Sequence, residues 1–305
     1  MRSFMREKKI YCGPNFLEVD IFPYSEAQVQ AAKNAGTHSK KQKESQPKQM
    51  KLNDKNARRY FTQLGNTNFG EGDYHVTLTY SNENLPQSPE EADKILKNFL
   101  DRVRYAHKRA GLAAVKYMLV TSYKSTKDGR PIRIHHHIIM SGGLGRDTIE
   151  DLWRKRKKKG QKKGDSIGYA NVDRLQMGNG NGIAALCSYL AKQTGGKKRW
   201  STSKGLDREK IDNPEIIDHV DTKQSRISTS NNLDSPVSRT NNHRYSHKEV
   251  ERIAKNHPDY EYWERRYPGY ELLRDDYGFE AVFNEYTGRW SVYAKLRRKQ
   301  EGGTL

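Results

Sequence analysis

Nine residues, Ile132-Arg-Ile-His-His-His-Ile-Ile-Met140, constrain this chain more than any others. Three adjacent histidines sit inside a run otherwise dominated by apolar strand formers. A buried imidazole needs a polar partner, so the run calls for a sheet with polar groups built into it. Side chains alternate between the faces of a strand, which puts His135 and His137 on one face. His136 joins Ile134, Ile138 and Met140 on the other, as a core histidine. His135 and His137, ~6–7 Å apart along the strand, can share one divalent ion. The competing reading makes all three ordinary polar strand residues.

The neighbouring sequence supplies the rest of a sheet. Val115–Tyr123 is rich in strand formers, and Asp128-Gly129 signals a turn between it and the histidine run. The two strands are therefore expected to form an antiparallel hairpin. Tyr74–Tyr80 alternates Val76, Leu78 and Tyr80 against Thr77 and Thr79, the pattern of a half-buried strand. Ser88-Pro-Glu-Glu91 reads as a helix start with a capping box, Ile95, Phe99, Val103 and His107 form one stripe, and Gly111 stops the helix. A short helix is expected over Asp147 to about Arg156, a strand over Ile167–Leu175, a flexible loop over Gly178–Gly182 and a helix from Ile183 to about Gln193. This order predicts an α+β fold, an antiparallel sheet with helices on one face. Around it, residues 1–58 read as a peripheral arm with one short strand within Phe16–Pro23, and 59–205 as the main domain. Residues 206–245 read as a linker and 246–305 as a small helix-plus-hairpin region, its turn at Tyr286-Thr-Gly-Arg289.

Charge narrows the function. There are 56 Lys and Arg against 37 Asp and Glu, a net +19, which predicts attraction to polyanions. Between Trp153 and Gly164 lie eight basic residues and no acid. Lys155, Arg156, Lys157, Lys158, Lys159, Lys162 and Lys163 are thus candidate DNA contacts, with Lys197, Lys198 and Arg199 further on. The plain alternative is a solvated helix end. No apolar run approaches the ~18 residues of a membrane span, so a soluble chain is expected. Met1–Ile10 is charged and lacks the apolar core of a secretory signal. Cys12 and Cys187 make neither a disulfide framework nor a CxxC site, in keeping with a reducing cytoplasm. There is no GxxxxGK[ST], HExxH or GxSxG motif, so no P-loop motor, zincin or nucleophile-elbow hydrolase is visible. Tyr189-Leu-Ala-Lys192 places a phenol and an ammonium at i and i+3, on one helix face, where both can meet one phosphate. Without the histidines, it reads as an amphipathic helix with an ordinary surface Lys and a packed Tyr.

In chain order, Val76-Thr-Leu-Thr-Tyr80, the His-x-His strand and the Tyr-x-x-Lys helix resemble the three motifs of HUH-superfamily endonucleases. The likeness is strongest to rolling-circle replication initiators of phages, plasmids and integrated bacterial elements, and covers roughly Tyr74 to Trp200. The resemblance implies a ferredoxin-like or RRM-like fold in a bacterial cytoplasm, with single-stranded origin DNA as substrate and host helicase and polymerase as partners. It implies that His135 and His137 hold Mg²⁺ or Mn²⁺. Tyr189 would be the single nucleophile, leaving a 5′-phosphotyrosine and a free 3′-OH, and Lys192 would ease its ionisation or hold the phosphate. Imidazoles suit Mn²⁺ at least as well as Mg²⁺. The chain departs from the pattern twice: His136 replaces a bulky apolar residue, and Ser122 stands where an acidic ligand is common. Water or an acid such as Asp173 would then complete the site. A transposase or relaxase of the same chemistry, or a non-catalytic binder of single strands, are the rival readings.

Overall fold

Along the chain, the computed structural model runs β1 (Ser3–Cys12), β2 (Phe16–Ser25), α1 (Glu26–Asn34), α2 (Pro47–Asn68), β3 (Tyr74–Thr79), α3 (Pro89–Arg109), β4 (Tyr117–Lys124), β5 (Pro131–Met140), α4 (Arg146–Asp151) and β6 (Ala170–Arg174). It continues α5 (Ala184–Lys192), β7 (Trp200–Thr202), β8 (Arg226–Thr229), β9 (Val237–Tyr245), α6 (His247–Lys255), α7 (Tyr260–Arg266), β10 (Tyr270–Leu272), β11 (Phe279–Asn284) and β12 (Arg289–Arg298). The structure describes residues 3–34, 47–124, 130–178, 180–192, 200–202, 226–229, 232–256, 259–274 and 278–299. Two units form: Met1–Ser45 with Ser235–Leu305, and Gln46–Asp234.

In Gln46–Asp234 the strand order is β6-β3-β5-β4-β8-β7. Each of its first four strands is antiparallel to its neighbour. With α3 after β3 and α4 after β5, they make the βαββαβ layout of a ferredoxin-like layer, and the expected α+β class holds. Strands β4 and β5 pair antiparallel as expected, with Ser122 opposite His135 and Thr121 opposite His136, while the Asp128-Gly129 turn signal itself lies outside the described residues. Helix α3 begins where Ser88 caps it, its Oγ accepting from the Glu91 N–H at 3.2 Å. The capping box is only half closed, because Glu91 accepts from the Gln87 N–H instead. Ala92, Leu96, Phe99 and Val103 bury the helix against the sheet, and Gly111 ends it at φ +69°.

One expectation needs correction: helices cover both faces of this sheet. On the His136 face, Val76, Leu78, Ile138 and Met140 pack with α3 and Trp153. On the other, Met118, Val120 and Ile139 pack with Phe61 and Leu64 of α2 and with Cys187 and Leu190 of α5. Helix α2 straddles the expected boundary at residue 58. Its buried stripe, Ala57, Phe61 and Leu64, is thin and set among polar residues. No helix among the described residues is long and apolar enough to cross a membrane. Cys12 and Cys187 are both buried thiols.

The other unit corrects the expected N-terminal arm. Its sheet runs β10-β12-β2-β1-β9, with β11 also paired to β12. Strands β1 and β2 are therefore internal. Met5, Leu17, Val19 and Ile21 meet Val292, Ala294 and Leu296, under Val250, Ile253 and Trp263 of α6 and α7. Strand β1 is hard to read locally because Glu7 occupies a fully buried position in it. The Tyr267 hydroxyl donates to that carboxylate, and the Arg244 guanidinium lies 3.4 Å away. The β11–β12 hairpin forms as expected, with Asn284 opposite Arg289. Most of the expected 206–245 linker lies outside the described residues; its described part contributes β8, paired to β4, and β9, paired to β1.

Candidate active site

The site sits where one sheet face emerges from beneath its helices. Along β5 on that face, Ile139 is fully buried, His137 is 7% exposed, His135 is half-buried and Arg133 is exposed. Across the sheet, His135 lies opposite Thr79 and Ser122, and His137 opposite Thr77 and Val120. Strand β6 adds Asn171 beside Thr77 and Asp173 beside His75.

His136 faces the other way, as strand alternation predicts. Its Nε2 lies 2.6 Å from the Tyr80 hydroxyl and its Nδ1 2.9 Å from Thr121 Oγ1. Burial pushes the Tyr80 phenol well above its ordinary range, so the hydroxyl keeps its proton and donates to Nε2. The Nδ1–H then donates to Thr121. Burial, followed by the proximity of His135 and His137, lowers His136 to about 3. It is therefore neutral and structural.

His135 and His137 lie together, their ring centroids 5.1 Å apart and nearly perpendicular. His135 Nδ1 lies 2.9 Å from the Arg133 carbonyl. A carbonyl only accepts, so Nδ1 carries a proton, which leaves Nε2 as the ring nitrogen that can serve as a ligand. His137 directs Nδ1 at His75 Nε2, 3.2 Å away, and at Thr77 Oγ1, 3.3 Å away. Burial, then His75 and His135, lowers His137 to about 3, so this imidazole is neutral at physiological pH. His75 is a site residue that the sequence reading misses, although the alternation that pairs Thr77 with Thr79 places it on the same face. Burial lowers its pKa, and Asp173 opposes the shift.

Among the described residues no group of three or more His, Cys, Asp or Glu side chains is disposed to hold an ion. Asp173 does not supply a third ligand, since it lies opposite His75 and two strands from β5. It is exposed and accepts from Asn171 Nδ2 at 2.5 Å. Ser122 lies opposite His135 and is fully buried. Two imidazoles side by side on one open face would suit a divalent ion whose remaining ligands were water and phosphate oxygens.

Tyr189 reaches this face from α5. Its ring lies 6.2 Å from that of His137, near perpendicular, and is 54% exposed. Cys187, Leu190 and Ala191 bury the other side of the helix. Gly65 of α2 allows that approach, because a Cβ there would stand 2.5 Å from Cys187 Sγ. Lys192 is the last residue of α5 and is exposed. The basic run lies on a loop rather than a helix end. Helix α4 stops at Asp151, whose carboxylate accepts from Arg154 and Lys163 and turns the chain back. An Arg154–Ser166 bridge and a 2.8 Å bond from the Lys155 N–H to the Asp165 carbonyl close the loop. Lys155, Arg156, Lys157, Lys158, Lys159 and Lys162 are exposed and form no ion pair among the described residues. Lys197, Lys198 and Arg199 lie outside the described residues.

Residues 73–194 match the model of a family described as replication-associated protein ORF2. The matched segment runs from just before β3 to just past α5, less than half of the chain, and contains every residue of this site. The match points to a replication-associated role and is consistent with a rolling-circle replication initiator. No curated protein and no solved structure matches the chain.

Proposed function

We propose that this protein is a rolling-circle replication initiator that nicks single-stranded origin DNA through Tyr189. The observation that carries the proposal is the meeting of the Tyr189 and His137 rings at the open end of the sheet, within the segment that matches a replication-associated family. His135 and His137 would hold Mn²⁺ or Mg²⁺, which when bound supplies charge stabilisation to the non-bridging phosphate oxygens. The hydroxyl of Tyr189 attacks phosphorus. A Tyr189 O–P bond forms and the bond from phosphorus to the 3′ oxygen breaks. The phenolic proton is lost, and the departing 3′ oxygen keeps the bonding pair and takes up a proton. One phosphate ester replaces another, so attack by a 3′-OH can later rejoin the strand without nucleotide hydrolysis, which suits a chain without a P-loop motif. Lys192, one helical turn along, is in sequence position to hold the phosphate. Thr77 and His75 orient His137 through Nδ1, leaving Nε2 for the ion. The free 3′-OH is a primer terminus, which makes host helicase and polymerase the expected partners.

The test is nicking of single-stranded DNA with added Mn²⁺, alongside Mn²⁺ binding followed by electron paramagnetic resonance. His135→Ala and His137→Ala should each lose both the bound-Mn²⁺ signal and the nick. Full nicking by either variant would contradict the metal assignment.

A further inference from the structure

Beyond His135 the same face continues onto two exposed side chains, Arg133 and Tyr169. Arg133 precedes His135 by two residues on β5 and therefore shares its face. Its guanidinium donates to the Tyr80 carbonyl at 2.6 Å and to Asn82 Oδ1 at 2.9 Å. Both acceptors are neutral, and Arg133 forms no ion pair among the described residues. The cation is thus held in place without being neutralised.

Tyr169 immediately precedes β6. Its carbonyl accepts from the Thr79 N–H at 2.9 Å and from Thr79 Oγ1 at 3.3 Å, which sets it beside Thr79, itself opposite His135. Its side chain is 67% exposed. Single exposed aromatics are ordinary on protein surfaces, but two features set this one apart. A Cβ on the preceding Gly168 would collide with the Thr79 carbonyl and stand 2.7 Å from Tyr80 Cα. The backbone is therefore pressed onto β3, and Tyr169 is presented from a fixed position. The basic loop also ends here. The Ser166 carbonyl accepts from Asn84 Nδ2 at 3.2 Å, and the Ile167 carbonyl from the Ser81 N–H at 3.0 Å. The lysine-rich loop, Tyr169 and Arg133 are all anchored on the Thr79–Asn84 segment, at the open end of the histidine face.

We infer that Arg133 and Tyr169 form a nucleotide subsite beside the nicking centre, Arg133 holding a backbone phosphate of the single strand and Tyr169 stacking an adjacent base. The inference rests on the nicking proposal for the identity of the ligand. The guanidinium fork matches phosphate geometry and keeps unused N–H donors. Stacking on a tyrosine face accepts any base, so the subsite adds affinity and register rather than sequence reading.

The test uses the full chain and a labelled oligonucleotide that it selects from a random single-stranded pool. A single abasic site is walked along the strand, and affinity is measured by anisotropy in EDTA. In the wild type, one abasic position should weaken binding about 5- to 150-fold, the range for loss of one stacked base. Tyr169→Leu should weaken the intact strand by a similar factor and remove the sensitivity at that position alone. Tyr169→Phe should restore it. Arg133→Gln should lower the log–log salt slope by about 0.7, the change for one phosphate fewer held by the protein. An unchanged abasic profile in a folded Tyr169→Leu protein, or an unchanged slope in Arg133→Gln, overturns the subsite. Covalent capture of the strand by wild-type protein with Mn²⁺ reports on the nicking proposal separately. With capture and an unchanged profile, only the subsite is wrong. With the altered profile and no capture, the subsite stands as a binding site and the nicking proposal falls.

Discussion

The imidazole of His136 stays neutral because it is fully buried and flanked by two further imidazoles, and that has a measurable consequence. Its pKa falls from 6.5 to about 3 in the fold, chiefly through burial. An unfolded chain binds this proton below pH 6.5 and the folded one does not. The stability is therefore fully present above pH 6.5 and is lost as pH falls toward 3. The expected slope is about 1.4 kcal/mol per pH unit for each such histidine; His137 is lowered in the same way and adds to it. Urea titrations between pH 7 and 4 should show the loss, and His136→Phe should flatten it; an equally steep dependence in that variant would contradict the account. Tyr80→Phe removes the donor to Nε2 and should cost about 1–3 kcal/mol, the usual cost of an unsatisfied buried polar atom. At this scale the sequence is readable wherever a residue's role follows from alternation. His135, His136 and His137 sort correctly by period two, and His75, inside the expected Tyr74–Tyr80 strand, sorts with Thr77 and Thr79 by the same rule. Glu7 is not readable, because its partners Arg244 and Tyr267 lie more than two hundred residues away along the chain.

Among the elements, the α4–β6 loop carries six exposed cations that form no ion pair among the described residues. Lys163 is paired with Asp151, so the free cations are those nearer the loop tip. Replacing Lys157, Lys158, Lys159 and Lys162 with Gln should weaken binding alike for origin and random single strands. The salt slope should flatten by about 0.7 for each phosphate no longer neutralised. Nicking at saturating DNA should persist, since none of the four touches the chemistry. A salt slope equal to wild type would return the loop to a merely solvated segment, and a selective loss of origin binding would make it a sequence reader. The hairpin β4–β5 and helix α3 are legible because their signals are local: a turn dipeptide, a cap and a continuous apolar stripe. Helix α2 is not, because among its described residues the buried apolar side chains Ala57, Phe61 and Leu64 are interrupted by the buried polar Gln63 and Asn66. The end of α4 falls short of its expected place because a basic run without breakers reads as continued helix, whereas two ion pairs to Asp151 fold it back.

For the whole molecule, the N-terminal strands belong with the C-terminal region. Strands β1 and β2 stand between β9 and β12, so removing residues 1–25 should unfold residues 235–305 rather than trim an arm. Trp263 is fully buried in that unit, and its fluorescence should red-shift in the truncated protein; an unshifted spectrum with retained amide protection would contradict this topology. Pairing at such separation leaves no trace in local periodicity, which is why the α+β class is legible and the membership of the second sheet is not. The central claim is that Tyr189 is the nucleophile that attacks DNA, and one measurement addresses it directly. A random-sequence single-stranded pool labelled at its 3′ end is incubated with the full chain and Mn²⁺, and SDS-resistant labelled protein is mapped by peptide mass spectrometry. The expected result is a labelled adduct on Tyr189 that Tyr189→Phe abolishes while keeping single-strand binding. An adduct that persists in Tyr189→Phe, or a wild-type protein that binds the pool and never captures it, would contradict the claim.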